Sequence, residues 1–145
     1  MKRIMTILMA VFMFFSCESS NSKVVDFNQL PAKAQSFIRT HFSDKEITMA
    51  FCDCDIFDKD YEVRFADGAK VDFDKDGDWT SVEVRKNDGV PVAIIPAAIN
   101  SFVAEKHQNA FVVDIDKDRR EYNVELNNGI DIVFDKNGNF KRYDD

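Results

Sequence analysis

The sequence predicts an α+β domain in which two tandem repeats, each a helix followed by antiparallel hairpins, form one sheet with both helices on one face. Three observations predict this fold. A stretch of the chain recurs once, the apolar spacing changes from about 3.6 residues to two within each copy, and turn dipeptides separate the segments of period two. A chain of 145 residues has room for one such domain.

The composition favours a small acidic globular domain. Hydrophobic residues make up 45% of the chain and charged residues 31%, so the chain can form a packed core and is not compositionally disordered. Nineteen basic residues against 26 acidic ones give a net charge of -7. This charge argues against nucleic acid as a partner, because phosphate binding needs a basic surface.

Residues 1–16 are typical of an export signal rather than of the fold. Lys2 and Arg3 precede an apolar run that is shorter than the roughly 20 residues needed to cross a bilayer. Ser16-Cys17 resembles the end of a lipobox, with Phe14 where Leu is usual, so Cys17 is the expected lipidation site. Residues 17–25 would form a polar tether, and the protein is expected in the periplasm or at the outer membrane, lipid-anchored or secreted.

An internal duplication organises the predicted domain, residues 26–145. Three pairs of segments match in order: 30–38 with 95–103, 61–63 with 122–124, and 73–79 with 134–140. The first pair is offset by 65 positions and the others by 61, so the first copy carries four extra residues. The two copies span about 26–88 and 89–145.

Each copy is predicted to begin with a helix. Pro31 and Pro96 stand where proline is tolerated, in the first helical turn. Apolar residues follow at helical spacing, which predicts one buried face per helix. These residues are Leu30, Ala34, Phe37, Ile38 and Phe42 in the first copy, and Ile95, Ile99, Phe102 and Val103 in the second.

Strands and hairpin turns follow each helix. Alternation predicts a first strand through Ile47, Met49 and Phe51, and its equivalent through Phe111, Val113 and Ile115. The later strands alternate through Tyr61, Val63 and Phe65 and through Tyr122, Val124 and Leu126. Four dipeptides predict the turns: Asp67-Gly68, Asp76-Gly77, Asn128-Gly129 and Asn137-Gly138.

Half of this chain makes a poor core alone, so the two copies are expected to share one sheet that is covered by helices on one side. The opposite face would then be polar and open to solvent, because Glu62, Arg64, Asp72, Asn123 and Glu125 alternate with the apolar residues. An open face of this kind is a candidate docking surface. The predicted partner-binding residues are Glu62, Arg64, Asn123 and Glu125.

At these motifs the chain resembles the PepSY-like periplasmic proteins of Bacteroidetes, whose fold is similar to that of the beta-lactamase inhibitory protein. The motifs are LPxxxxxFI at residues 30–38 and VxFDKDGxW at residues 71–79, and related versions of both recur in order. The resemblance covers about residues 26–145 and implies a secreted, non-catalytic protein. PepSY domains are proposed to inhibit or regulate peptidases, but the shared motifs are turn and core positions and transfer no binding residue.

One segment has the spacing of a calcium-binding loop. The pattern D-x-D-x-D-G-x5-E supplies the oxygen ligands and the turn-forming glycine that a hard cation requires. The candidate ligands are Asp72, Asp74, Asp76, Asp78 and Glu83. The flanking residues alternate as strands do, so an acidic hairpin turn is the competing interpretation. Calcium is the one candidate cofactor.

Cysteines, histidines and carboxylate pairs leave weaker alternatives. Cys52 and Cys54 are interpreted either as small strand residues or as an oxidised or metal-binding pair, although a disulfide between residues two apart on a strand is expected to be strained. His41 and His107 are expected on helix surfaces or ends. Pairs such as Asp53/Asp55, Asp58/Asp60 and Asp114/Asp116 would suit a small hydrolase, but 26 acidic residues create such pairs by chance.

The sequence therefore favours an exported protein that is not an enzyme and that binds or inhibits a protein partner, with a hydrolase as one candidate. The alternative is a calcium-binding or calcium-regulated periplasmic protein. Contact with the membrane is expected through a lipid anchor alone.

Overall fold

The structure, a computed structural model, describes residues 22–55 and 57–144. The predicted signal peptide and Cys17 lie outside the described residues. Within the described part the chain forms nine strands and two α-helices, with a 3-10 turn at Phe27–Gln29. The helices are α1 (Ala32–His41) and α2 (Ala97–Lys106). The strands are β1 (Ser22–Val24), β2 (Ile47–Cys54), β3 (Lys59–Phe65), β4 (Lys70–Phe73), β5 (Trp79–Glu83), β6 (Val112–Lys117), β7 (Glu121–Leu126), β8 (Asp131–Asp135) and β9 (Phe140–Asp144).

All described strands lie in one open antiparallel sheet, in chain order from β1 to β9. Helix α1 lies between β1 and β2 in the chain, and α2 lies between β5 and β6. The predicted α+β class is confirmed. Strand β1 falls inside the predicted tether, and its three residues pair with Phe51, Cys52 and Asp53 of β2.

The helices begin where the sequence pattern indicates. Pro31 and Pro96 are the N-cap residues of α1 and α2. The predicted apolar face of α1 is buried at Leu30, Ala34, Ile38 and Phe42. These helix residues belong to the same hydrophobic cluster as the buried residues of the strands, so the helices and the sheet share one core. Of the helices in the described part, none has the length and apolar character needed to cross a membrane.

An aromatic contact anchors each helix on the sheet. Phe37 of α1 packs edge-on against Phe73 of β4, with ring centroids 5.6 Å apart. Phe102 of α2 packs in the same way against Phe134 of β8, at 5.3 Å. The T-shaped geometry is a favoured one for aromatic pairs, so these contacts orient the helices as well as bury area.

The four predicted turns are confirmed. Gly68, Gly77, Gly129 and Gly138 all have positive φ, between 81° and 90°, as a hairpin turn of this kind requires. Gly77 is also in close contact with α1: a Cβ on Gly77 would lie 2.8 Å from Cβ of Pro31. The turn between β4 and β5 therefore rests on the first turn of α1.

Strand β2 differs from the sequence prediction in its phase. A register shift between Ile47 and Met49 turns the strand, so Ala50 and Cys52 are buried while Met49 is 42% exposed and Phe51 is half-buried. The predicted alternation through Ile47, Met49 and Phe51 is therefore wrong as a description of the buried face. A bulge inserts one residue and reverses the faces of every residue after it.

Cys52 and Cys54 are joined by a disulfide, with Cα atoms 5.5 Å apart. Cys52 is buried beside Tyr61 of β3, its cross-strand partner, and Cys54 is half-buried at the end of β2. Of the two interpretations left open by the sequence, the structure adopts the oxidised pair.

Candidate functional site

The candidate site is the polar face of the sheet, built from two rows of side chains that cross neighbouring strands. Cross-strand pairing defines each row, because paired residues point to the same side of a sheet. The first row is Val24, Phe51, Glu62, Asp72, Ser81, Asp116, Asn123, Val133 and Arg142. The second row is Met49, Arg64, Lys70, Glu83, Asp114, Glu125, Asp131 and Asp144. We call these two rows together the polar face.

All four residues predicted to bind a partner lie on the polar face. Glu62 and Asn123 belong to the first row, and Arg64 and Glu125 belong to the second. Arg64 forms an ion pair with Glu62, and its guanidinium carbon lies 4.9 Å from the centroid of the Phe51 ring. The aromatic ring and the carboxylate hold this arginine in place on the face.

Two carboxylates near the centre of the polar face are partly buried. One oxygen of Asp72 and one of Asp114 have almost no exposed surface and accept no hydrogen bond within the described chain. Burial raises the pKa of Asp72 to about 6. The positive charge of Lys70 acts to lower this pKa, and the negative charge of Glu62 acts to raise it. Burial, followed by the charges of Asp116, Glu83 and Glu125, raises the pKa of Asp114 to about 7. Both groups are therefore costly to ionise in the folded protein.

Lys70 lies on β4, in the second row of the polar face, between Arg64 of β3 and Glu83 of β5. Its Nζ is 3.6 Å from a carboxylate oxygen of Asp72 and 3.8 Å from one of Glu83. Burial acts to lower the pKa of Lys70, but the charges of Asp72, Glu62 and Glu83 outweigh it and raise the pKa. The ammonium group therefore stays charged and partly offsets the acidity of the centre.

Two shallow cavities open on the polar face. The larger, of about 530 Å³, lies over the first strands and is lined by Phe51, Asp60, Arg64 and Asp72 among others. The smaller, of about 210 Å³, lies over β6 to β9 and is lined by Asp114, Asp116, Glu125 and Asp131 among others. The surface between the rows is therefore concave enough to receive protruding groups of a partner.

The residues of the predicted calcium loop lie in three different environments. Asp72 and Glu83 are on the polar face beside Lys70. Asp74 closes the hairpin turn, because its Oδ1 accepts hydrogen bonds from the backbone N–H groups of Asp76 and Asp78. Asp78 forms an ion pair with Lys33 of α1, and this hydrogen bond lowers its pKa. Among residues 22–55 and 57–144, no group of three or more acidic, His or Cys side chains is placed to hold a metal ion.

The histidines lie at helix ends, as expected. His41 is the last residue of α1, and its ring packs 4.7 Å from that of Phe37. His107 is the C-cap of α2, and its Nε2 is 3.2 Å from the hydroxyl oxygen of Tyr143. Both rings contact aromatic side chains beside the helices, which is consistent with a packing role.

Sequence reasoning missed the apolar end of the polar face. Val24, Met49 and Phe51 lie there on β1 and β2, and Val24 is 68% exposed. Met49 and Phe51 were assigned to a buried alternation, and Val24 to the tether. The small apolar residues Ala50 and Cys52 form a second alternation in the same segment, and this was the available signal for the opposite phase.

The fold is that of a class of small α+β proteins with solved structures. A crystal structure of a protein of the DUF2874 family from Bacteroides vulgatus, described as periplasmic, matches with a TM-score of 0.82 and 42% identity over 88% of this chain and 99% of that chain. A protein from Bacteroides thetaiotaomicron, described as calcium-regulated and periplasmic, matches with a TM-score of 0.81 and 41% identity over 86% of this chain and 97% of that chain. A further Bacteroides vulgatus protein, described as periplasmic and of unknown function, has a TM-score of 0.80 and 31% identity over 86% of this chain and 99% of that chain.

The family profile described as beta-lactamase-inhibitor-like, PepSY-like matches residues 59–142. The chain belongs to this PepSY-like family, which confirms the resemblance seen in its motifs. The match indicates no catalytic class. No functionally curated protein matches the sequence.

Proposed function

We propose that this chain is an exported, non-catalytic protein of the periplasm that binds or inhibits a protein partner, with a hydrolase as the leading candidate, through the polar face. The observation that carries the proposal is the face itself. Its two rows of mostly polar side chains cross the sheet from β1 to β9, and they enclose two cavities. A broad, preformed and concave surface suits protein recognition better than catalysis by a few converging groups.

The helix contacts support the view that both helices cover the opposite face. Val71 pairs with Val82 and Val82 with Ile115, and the pairing continues through Val124 to Ile132. These side chains therefore share one side of the sheet. Phe73 and Phe134 lie two residues beyond Val71 and Ile132, on that same side, and they contact α1 and α2 respectively. The polar face would then be left free for a partner.

Equivalent hydrogen bonds support a duplicated architecture. The side-chain amide of Gln35 donates to the carbonyl of Leu30, and that of Asn100 donates to the carbonyl of Ile95. Asp74 and Asp135 each accept two backbone hydrogen bonds in the equivalent turns. Two copies of one unit would double the length of the polar face. The longer face would approach the size of a protein interface.

The similar proteins support a periplasmic location, since all three are described as periplasmic. The export signal and Cys17 add the expectation of a lipid anchor. Metabolic labelling with a radioactive fatty acid should label the wild-type protein and not Cys17→Ser. Equal labelling of both would place the lipid elsewhere and remove this part of the proposal.

Affinity capture from envelope extract tests the binding function. The wild-type protein should retain one partner, and Glu62→Lys together with Arg64→Glu should release it. Glu105→Lys, which changes an exposed residue of α2, is the control and should retain the partner. If the charge changes on the polar face leave the partner bound, the polar face is not the binding surface. If the wild-type protein retains no partner, the proposed binding function fails.

A calcium-responsive role is a second candidate. It is favoured by the 41% identity with a protein described as calcium-regulated and by three aspartates in the turn after β4. Millimolar calcium should then raise the melting temperature, and Asp76→Asn should abolish the rise. This variant copies Asn137 at the equivalent position of the second turn, which has the same Asp-based hydrogen bonds, so it should fold normally. An unchanged melting temperature with calcium would remove this candidate.

A further inference from the structure

We infer that the polar face recognises a basic protein surface that also presents an apolar anchor: the cationic groups bind a ladder of carboxylates on β5 to β9, and the anchor binds the apolar end on β1 and β2. This inference rests on the proposed function and deepens it, since it states the chemistry of the partner.

The carboxylate ladder consists of five acidic residues paired side by side on five consecutive strands. Glu83 pairs with Asp114, Asp114 with Glu125, Glu125 with Asp131, and Asp131 with Asp144. Directly paired positions bring Cβ atoms to within about 5.5 Å, so each carboxylate faces another carboxylate. No basic residue interrupts the ladder.

Like charges placed directly opposite each other destabilise a sheet, whereas alternating charges stabilise it. Three cations form long ion pairs with the ladder and offset its charge in part: Lys70, Lys86 and Arg142 lie 3.8 to 3.9 Å from Glu83, Glu125 and Asp144. The five carboxylates still outnumber these three cations. The raised pKa of Asp114 reflects the same crowding, after the effect of burial. Opposed like charges on an exposed surface are locally unfavourable. Such exceptions are expected at functional sites.

Acidity is not spread evenly over the molecule, so the ladder is not simply a result of the overall charge. Helix α1 carries Lys33 and Arg39 and no acidic residue. Helix α2 carries one Glu and one Lys. The excess negative charge therefore lies on the sheet and its turns, and an approaching basic surface would be directed toward the polar face rather than toward the helices.

The apolar end is the other half of the surface. Val24, Met49 and Phe51 form an exposed or half-exposed apolar group at the β1–β2 edge of the same face. Exposed apolar groups beside a charged surface are typical of protein interfaces, where a few apolar side chains provide an anchor. Charge alone would allow any cation to bind. The apolar end also requires an apolar side chain on the partner.

The distance between the two parts determines the size of the partner. Strands lie about 4.8 Å apart, so β2 and the middle of the ladder on β7 are separated by about 24 Å. A metal ion or a small amine cannot reach both. A folded protein surface or an extended peptide can, and the inference commits to a protein.

Binding of a synthetic peptide tests the inference with the purified protein. The peptide has a Leu-Phe end followed by lysines at alternate positions, long enough to span about 24 Å in extended form. Glu125→Gln with Asp131→Asn should weaken binding at least tenfold. Asp44→Asn with Glu105→Gln removes the same charge from exposed positions beside the helices, and should change binding less than twofold. Met49→Ser should also weaken binding, whereas Val92→Ser, at another exposed apolar position, should not.

Stability provides an independent readout, because removing one of two opposed carboxylates should raise the melting temperature. The ladder variant should therefore be more stable and bind less well, which a purely structural role for these residues would not produce. Equal weakening by both double variants would show a general charge effect and overturn the inference. Calorimetric binding of calcium alone that is lost in the ladder variant would also overturn it, by reassigning the ladder to a metal.

Failure of this inference is distinguishable from failure of the proposed function. If the captured partner is released by the changes at Glu62 and Arg64 but not by the ladder variant, the polar face binds the partner without the ladder. In that case the proposed function stands and the inference fails.

Discussion

Gly77 shows at the scale of one residue how a turn positions a helix. Its φ of +84° is unfavourable for residues with a side chain, and the space beside it is filled by the backbone of α1, with N of Ala34 2.9 Å from where a Cβ would lie. Gly129 has a similar φ of +81° but nothing within 4 Å. The two glycines therefore separate the effect of conformation from the effect of close contact.

The substitution Gly77→Ala should destabilise the protein more than Gly129→Ala. Both substitutions place a side chain on a residue in the left-handed conformation, which costs about 1 kcal/mol. Gly77→Ala must also displace α1, which adds about 1–3 kcal/mol. Urea unfolding of the two variants measures the difference. Equal losses would mean that α1 moves away without cost and that the contact does not hold the helix.

The raised pKa of Asp114 makes the stability of the folded protein depend on pH. Its pKa of about 7 lies above the ordinary value of 3.8, so between about pH 4 and pH 7 the folded state holds a proton that the unfolded state has released. The stability from this group is therefore present at low pH and is lost as the pH rises through 7. Each pKa unit corresponds to about 1.4 kcal/mol, and solvent screening of this partly exposed carboxylate reduces the effect, so ionisation costs the fold about 1–2 kcal/mol at pH 8.

Asp114→Asn should therefore raise the melting temperature at pH 8 and change it little at pH 4. Asp44→Asn, at an exposed position after α1, is the control and should change the melting temperature little at either pH. Melting curves from pH 4 to pH 8 make the comparison. Parallel curves for the parent and Asp114→Asn would show that Asp114 ionises normally in the folded protein.

At the scale of elements, the helices and hairpin turns were predictable, and the first strands were not. Helical spacing and the Pro and Gly positions carry local signals strong enough to place α1, α2 and four turns. The faces of β2 depend on a bulge, which arises from how β2 meets β3, and the alternation along β2 is compatible with either phase. Strand β1 has three residues and forms only because β2 offers an edge, so its polar sequence resembles a tether.

The candidate site was predictable in part for the same reason. Polar residues of β3 and β7 were assigned to the right face because their alternation is regular. The carboxylate ladder depends on which residues stand opposite each other on separate strands. Pairing of β5 with β6 joins residues about 30 positions apart, and this register cannot be deduced from composition or period.

Phe37 and Phe102 allow a test of the two helices as equivalent elements. Each packs against a fully buried Phe of the sheet, so Phe37→Ala and Phe102→Ala should destabilise by similar amounts, about 2–4 kcal/mol each. Phe57→Ala is the control, because that side chain is 96% exposed and should change stability by less than about 0.5 kcal/mol. A large effect for one helix and none for the other would show that the helices are attached differently.

At the scale of the whole molecule, the described strands form one sheet, and the two halves join where β5 pairs with β6. Buried residues of both helices and of both halves of the sheet belong to one hydrophobic cluster. Neither half presents a separate core that could remain folded when the other is lost.

The protein should therefore unfold in a single transition. In calorimetry, Phe37→Ala and Phe102→Ala should each lower the temperature of that one transition, although they lie in different halves. A second transition in either variant would show that the halves unfold independently and that the β5–β6 pairing is weak.

The β5–β6 junction has a consequence for how two molecules of this protein interact at high concentration. Three paired positions, Ser81 to Glu83 with Asp114 to Asp116, link the halves within the sheet, and a long connection, residues 84–96, leads from β5 to α2. The β5 edge of one molecule can pair with the β6 edge of a neighbouring molecule in the same way as it pairs within one molecule. If this connection straightens, two chains can trade their C-terminal halves and close into an intertwined dimer that retains the native contacts outside the connection.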